Sequence, residues 1–227
     1  MRVQKISFTA SPTIQRPTQS RENQTIERAL EELKKINFDN NDMIYMRAVG
    51  ANPPFKSGLE AYEFLKNNNV DIRFAKLAFE DAHAIWDYDE RAILISERYR
   101  NLTNFPETLA IASAIFHEAG HAKDEDIDNS IQEELDCLSL NALGHRYYKK
   151  AYKDVFLGQN SFFFSQGVGL YEDLFYRFDT QKHALRDRVA EKYGYLQLSS
   201  NGHNAGNFAK EIKKQYKESP YLTGLSG

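Results

Sequence analysis

The chain has 227 residues, of which 41% are hydrophobic, and a net charge of -3 with acids and bases interspersed. That length and apolar content suit one sizeable core, and the charge pattern holds no basic stripe of the kind nucleic acid or anionic lipid requires. The single cysteine, Cys137, rules out a disulfide within the chain, and no stretch approaches the eighteen or so apolar residues of a membrane span.

In chain order, residues 1–20 are rich in Ser, Thr, Gln and Pro and read as a flexible leader, with one domain expected over 21–227. Residues 1–9 lack the apolar run of a signal peptide, so the expected location is cytoplasmic. Ile26, Leu30, Leu33 and Ile36 share helical spacing and predict a helix over 25–36. Residues 50–55, with Pro53 and Pro54, read as a turn-rich connector, and Ser57 to Glu60 carries a capping-box pattern that opens a second helix. Residues 71–77 alternate in polarity, and 84–96 read as two strands around a turn at Asp87 to Glu90. A small antiparallel sheet is therefore expected ahead of the next helix.

That helix has a start signal at Asn104 to Glu107, with Pro106 in its first turn. The run Leu109 to Phe116 is apolar on every side, as in a helix buried in a core. It ends in His117-Glu118-Ala119-Gly120-His121. Positions i and i+4 lie on one helical face, so His117 and His121 can direct ring nitrogens at one ion. Glu118, one residue round from the first His, suits a group that touches water at the metal and acts as general base. Zinc lowers the pKa of such water to about 7, and the chemistry implied is metal-assisted amide hydrolysis.

A catalytic zinc commonly takes three protein ligands. After a polar stretch at 123–129, a helix over 130–143 shows an apolar face of Ile131, Leu135, Leu138 and Ala142. Glu134 borders this face, near Asn141 and His145, and Glu133 points nearly opposite. A short turn makes the two helices antiparallel neighbours, bringing Glu134 toward the histidines. Glu134 is therefore the expected third ligand. Glu133, Asp136 and the loop acids Asp124, Asp126 and Asp128 are the alternatives, and Asp136 has a second reading as a carboxylate holding a ligand His by its other nitrogen.

The motif His117-Glu118-x-x-His121, followed by a short loop and a helix with Gln132, Glu133, Glu134, Leu135 and Asp136, resembles the zincin metallopeptidases, in particular the small gluzincin-like branch. The resemblance covers roughly residues 70–150, and the five-residue core carries most of it. It implies an α+β, mostly helical zincin-like fold with a helical C-terminal part, Zn2+ held by His117, His121 and a Glu of the following helix, Glu118 as base, and a peptide or protein substrate. It also implies that the strand leading into the metal helix, residues 92–96, rims the cleft and pairs with an extended peptide, the alternative being an ordinary buried hairpin. Gluzincins often carry Asp or Asn four residues after the ligand Glu, where this chain has Leu138 after Glu134 and Cys137 after Glu133. The metzincin extension is absent, since Asp124 and Ile127 stand in place of its Gly and third His.

Further on, Phe162, Phe163 and Phe164 read as core packing or a pocket lining, and helices are expected near 168–179, 183–194 and 207–217. An oxyanion donor is open among His145, Tyr147, Tyr148, His183, Tyr193 and His203, and His83 is equally ambiguous. The reading from another functional class is a non-catalytic, zinc-binding regulatory or interaction domain. Glu118 argues for the enzyme, because a closed structural site has no use for it.

Overall fold

The fold is that of a computed structural model, which describes residues 18–48, 51–77, 82–101, 104–124 and 130–153. The expected leader, apart from its last three residues, and the expected elements beyond 153, including Phe162 to Phe164, His183, Tyr193 and His203, lie outside the described residues, as do Asp126 and Asp128.

The chain is α+β and mostly helical. Helix α1 spans Thr18–Lys35 and begins within the segment expected as leader. Ile26, Leu33 and Ile36 are buried as their spacing predicts, and Leu30 packs at the margin of the same core. Helix α2 covers Asn40–Ala48. No element was expected there, yet a start signal exists. Asp42 donates its N–H to Asp39 Oδ1 at 2.9 Å and Asp39 donates back to Asp42 Oδ2 at 3.2 Å, a capping box written with two Asp residues. Helix α3, Gly58–Asn67, starts at Ser57, whose hydroxyl accepts from the Glu60 N–H as expected. Gly58 admits α3 against α1, because a Cβ there would lie 1.8 Å from the Leu33 carbonyl oxygen.

Three strands follow, β1 (Asp71–Ala75), β2 (Ala84–Asp87) and β3 (Ala92–Ser96). The β2–β3 hairpin is antiparallel, with Trp86 opposite Ile93, and Arg91 in its turn has φ 51°. The expectation of an antiparallel sheet is corrected by β1, which pairs parallel to β3, giving a mixed sheet of order β1-β3-β2. Alternation along a strand reports its two faces and is silent about the direction of its neighbour. The same order corrects the role given to residues 92–96. Strand β3 is central, with both edges already paired, and cannot accept an added peptide strand; among the described residues β1 and β2 are the edge strands, and β2 is the one beside the metal-motif helix.

Helix α4, Phe105–Lys123, is the element on which most of the other described elements converge. Asn104 caps it by accepting from the Glu107 N–H, Pro106 sits in the first turn, and Leu109, Ile111, Ala112, Ile115 and Phe116 are buried as expected. It packs against α1, α3, the sheet, and α5, which spans Ile131–Ala151. Phe55, Phe38 and Phe116 stack around its middle. The core cluster joins residues of α1, α3, the strands, α4 and α5. Among the described residues no helix is long and apolar enough to cross a membrane.

Candidate metal centre

Two features of the helix pair place polar groups in an otherwise apolar interior. The last two turns of α4 carry the histidine motif, and Gly120 in their midst lets α5 come close. A Cβ on Gly120 would lie 2.6 Å from Cys137 Sγ and 3.3 Å from Leu140 Cδ1. The connector 51–55 closes the other side. Pro54 Cγ would be 3.4 Å from that same Cβ, the Asn52 N–H donates to Asp136 Oδ1 at 2.7 Å, and Lys123 Nζ donates to the Pro54 carbonyl.

Within this wedge His117, His121 and Glu134 converge, with one potential ligand atom from each lying within 4.8 Å of the others. The Nε2 atoms of the two rings are 3.2 Å apart. One Glu134 oxygen lies 3.7 Å from His117 Nε2 and the other 3.6 Å from His121 Nε2. The side chains are 12%, 6% and 8% exposed for His117, His121 and Glu134, so one edge of the group reaches solvent at His117. Glu134 thus stands where the helical wheel set it.

Glu133 does not. The wheel turned it away from the core, but α5 is enclosed on nearly every side here, and Glu133 is only 5% exposed. Its Oε1 accepts a hydrogen bond at 2.5 Å from His121 Nδ1, the nitrogen turned away from the triad. This corrects two expectations. Glu133 is not an alternative ligand in this geometry, and the carboxylate that steadies a histidine is Glu133 rather than Asp136. Asp136 instead accepts from Asn52 and from Gln132 Nε2, and burial lifts its carboxyl to about 6. Asp124 ends α4, its N–H donating to the Gly120 and His121 carbonyls.

Glu118 is buried beside the triad. Burial raises its carboxyl to about 7; His121 pulls it down and Glu134 pushes it up, and a hydrogen bond donated by the Trp86 backbone N–H favours the ionised form. That donor is available for a reason of register. Ser96 N–H bonds the His83 carbonyl, and in an antiparallel ladder the bonded pairs then recur at 85/94 and 87/92, which turns the N–H groups of Ala84 and Trp86 to the outer edge. The sheet edge and the candidate base are therefore directly joined.

Burial opposes charge on His121, yet Cys137, Glu134 and Glu133 around it lift its imidazole well above the usual histidine range. Burial pushes the Cys137 thiol itself up to about 12, so near neutral pH it is uncharged and the carboxylates carry the effect. The carboxylates that favour a proton on His121 would equally favour a dication in its place. Three buried carboxylates in one wedge, Glu118, Glu133 and Glu134, otherwise present charge that the interior disfavours.

Of the candidates for an oxyanion donor, His145, Tyr147 and Tyr148 lie about 16–21 Å along α5 from Glu134, at 1.5 Å per residue, and so outside the triad. His83 is bonded through Nδ1 to the Tyr99 hydroxyl, with Arg98 3.1 Å away, and takes no part in the triad. One nearby group escaped the sequence reading. Tyr88, in the β2–β3 turn, has its hydroxyl pushed up first by burial and then by the Glu133 charge, with His121 acting in the opposite sense. Its proximity depends on the hairpin folding over α4, which no local pattern announces.

No protein-family model, curated protein or solved structure matches this chain. The functional reading rests on the site itself.

Proposed function

We propose that the chain is a zinc-dependent metallopeptidase with a zincin-like arrangement, His117, His121 and Glu134 being the metal ligands and Glu118 the general base. The observation that carries the reading is the spacing of the triad. For a tetrahedral ion with ligand bonds of about 2.0–2.1 Å, neighbouring ligand atoms stand about 3.4 Å apart. The two ring nitrogens, 3.2 Å apart, stand close to that value, each has its own oxygen of the Glu134 carboxylate at 3.6–3.7 Å, one atom from each residue lies within 4.8 Å of the others, and two imidazoles with one carboxylate form a donor set common to catalytic zinc.

Zinc bound there supplies Lewis acidity, lowering the pKa of water and polarising a substrate carbonyl. The chain's own groups do the rest. Glu118, poised near neutrality by burial, takes a proton from the attacking water and delivers it to the departing amine. The Trp86 N–H holds the Glu118 carboxylate at the sheet edge, and the outward backbone of β2 next to it offers an extended peptide a strand to add to. Tyr88, kept protonated by burial, is a hydroxyl donor in the same electrostatic neighbourhood.

The test is metal content together with turnover. Purified chain should carry about one zinc. It should cleave members of a broad peptide library, and Glu118→Gln should keep the zinc and lose the cleavage. Full activity in that variant rejects the base, and zinc binding without any cleavage supports a regulatory zinc domain instead.

A further inference from the structure

The first turn of α5 is held by a capping box in which one residue also serves the candidate metal centre. Ser130 Oγ accepts the Glu133 N–H at 3.0 Å, and Glu133 Oε2 accepts the Ser130 N–H at 3.3 Å. The other oxygen of the same carboxylate, Oε1, accepts from His121 Nδ1 at 2.5 Å. All three partners are buried, with Ser130 3% and Glu133 5% exposed, so water does not readily substitute for any of these bonds.

The chemistry of the imidazole makes the connection directional. A carboxylate on Nδ1 keeps a proton on that nitrogen and so reserves Nε2, which faces the triad, for a metal, the arrangement that raises the basicity of a metal-ligating His. The planar carboxylate presents Oε1 to His121 while Oε2 is held by the Ser130 backbone N–H, and the Ser130 hydroxyl fixes that backbone against the first turn by accepting the N–H of Glu133 itself. Glu134, the next residue along, donates its N–H to the Ser130 carbonyl at 3.0 Å, so the third ligand hangs on the same turn. One turn of helix therefore orients a ligand His through Glu133 and delivers a ligand Glu directly.

We propose that the α5 cap and the metal centre are one cooperative unit, in which Ser130, which touches no ligand side chain, is a positioning residue that sets zinc affinity through Glu133. The proposal rests on the zinc reading above and adds a residue and a coupling to it. Linkage makes the coupling reciprocal: zinc bound to the histidines stabilises the first turn of α5 by the factor with which an intact turn tightens zinc.

The experiment measures the zinc dissociation constant of the full chain by competition with a chromophoric chelator, using zinc alone as the probe. Glu133→Ala should weaken zinc by about 10- to 100-fold, the usual effect of removing such a partner of a ligand His. Ser130→Ala should weaken it by roughly three- to tenfold, the affinity equivalent of a lost helix cap, and Ser130→Thr should restore it. In the Glu133→Ala background the Ser130→Ala change should shrink to less than about twofold, because the route is already cut. Amide hydrogen exchange at Glu133 and Glu134 should slow on adding zinc to the wild-type chain and slow less in Ser130→Ala. This readout and the Ser130→Thr rescue decide the matter even if Glu133→Ala does not fold. Wild-type affinity in Ser130→Ala, or equal losses in the two backgrounds, overturns the coupling. Should the wild-type chain bind zinc no better than His117→Ala, the zinc reading itself falls, and the two failures are thus distinguishable.

Discussion

The two halves of α4 are built on different principles. The first half is a core helix of ordinary construction, with an Asn104 cap, Pro106 in the first turn, and Leu109, Ile111, Ala112 and Ile115 buried to within 1%. The second half also buries His121, Glu118 and Gly120, at 5% for His121 and 8% for Glu118. Apolar burial stabilises the first half without help from particular partners. The second half is tolerable only because α5, β2 and the 51–55 connector bring specific groups to it: Glu133 and Glu134 to the histidines, the Trp86 N–H to Glu118, and Pro54 to the flank of Gly120. A helix can thus carry a fold at one end and a candidate metal site at the other, and substitutions should separate the two.

The widest separation is expected at Glu118. Glu118→Gln should lower kcat by about 10²–10⁴-fold or more, measured on a cleaved library peptide, with zinc content unchanged. Its counterpart in the first half is Leu109→Ala, which should cost about 2–5 kcal/mol in chemical denaturation and leave zinc affinity as it was. If Leu109→Ala shifts zinc affinity as strongly as stability, the two halves are one unit and the contrast fails. Gly120→Ala tests the boundary. The added methyl meets Cys137 Sγ, a short side chain on a packed helix, so the helices must part. A loss of about 1–3 kcal/mol is expected together with weaker zinc binding, and Cys137→Ala should restore part of both. The smallest effect belongs to Asn104→Ala, at about 1 kcal/mol in thermal or denaturant unfolding. Zinc affinity should not move with it, in contrast to the cap at Ser130, and that pair of caps is the finest form of the comparison.

Legibility follows the same division. The starts of α3 and α4 are readable because Ser57 and Asn104 act on amides three residues away, within a single turn, whereas α5 runs eight residues past the expected end at 143. The motif spacing placed His117 and His121 on one face because a helix has only one geometry there. Helix α2 was overlooked although Asp39 and Asp42 form a reciprocal cap, since the segment presents no strong apolar stripe, with Ile44 61% exposed. The strands were readable but their pairing was not. Parallel pairing of β1 with β3 joins residues 21 apart in register, such as Asp71 with Ala92, and leaves no local trace.

By itself, then, the order of residues determined what 3.6-residue periodicity and side-chain capping determine: that the segments of α1, α3, α4 and α5 coil, where α3 and α4 start, and that two imidazoles and a carboxylate share the end of a buried helix. Only the tertiary structure decided that β2 is an edge strand among the described residues, that α5 lies close enough for Glu134 to face the histidine nitrogens across the gap, and that its neighbour Glu133 grips His121 from behind. Those outcomes depend on distances between segments. The helical wheel set Glu134 toward the histidines, but on a helix enclosed on nearly every side the task of Glu133 is assigned by what packs against it, here the close approach permitted at Gly120.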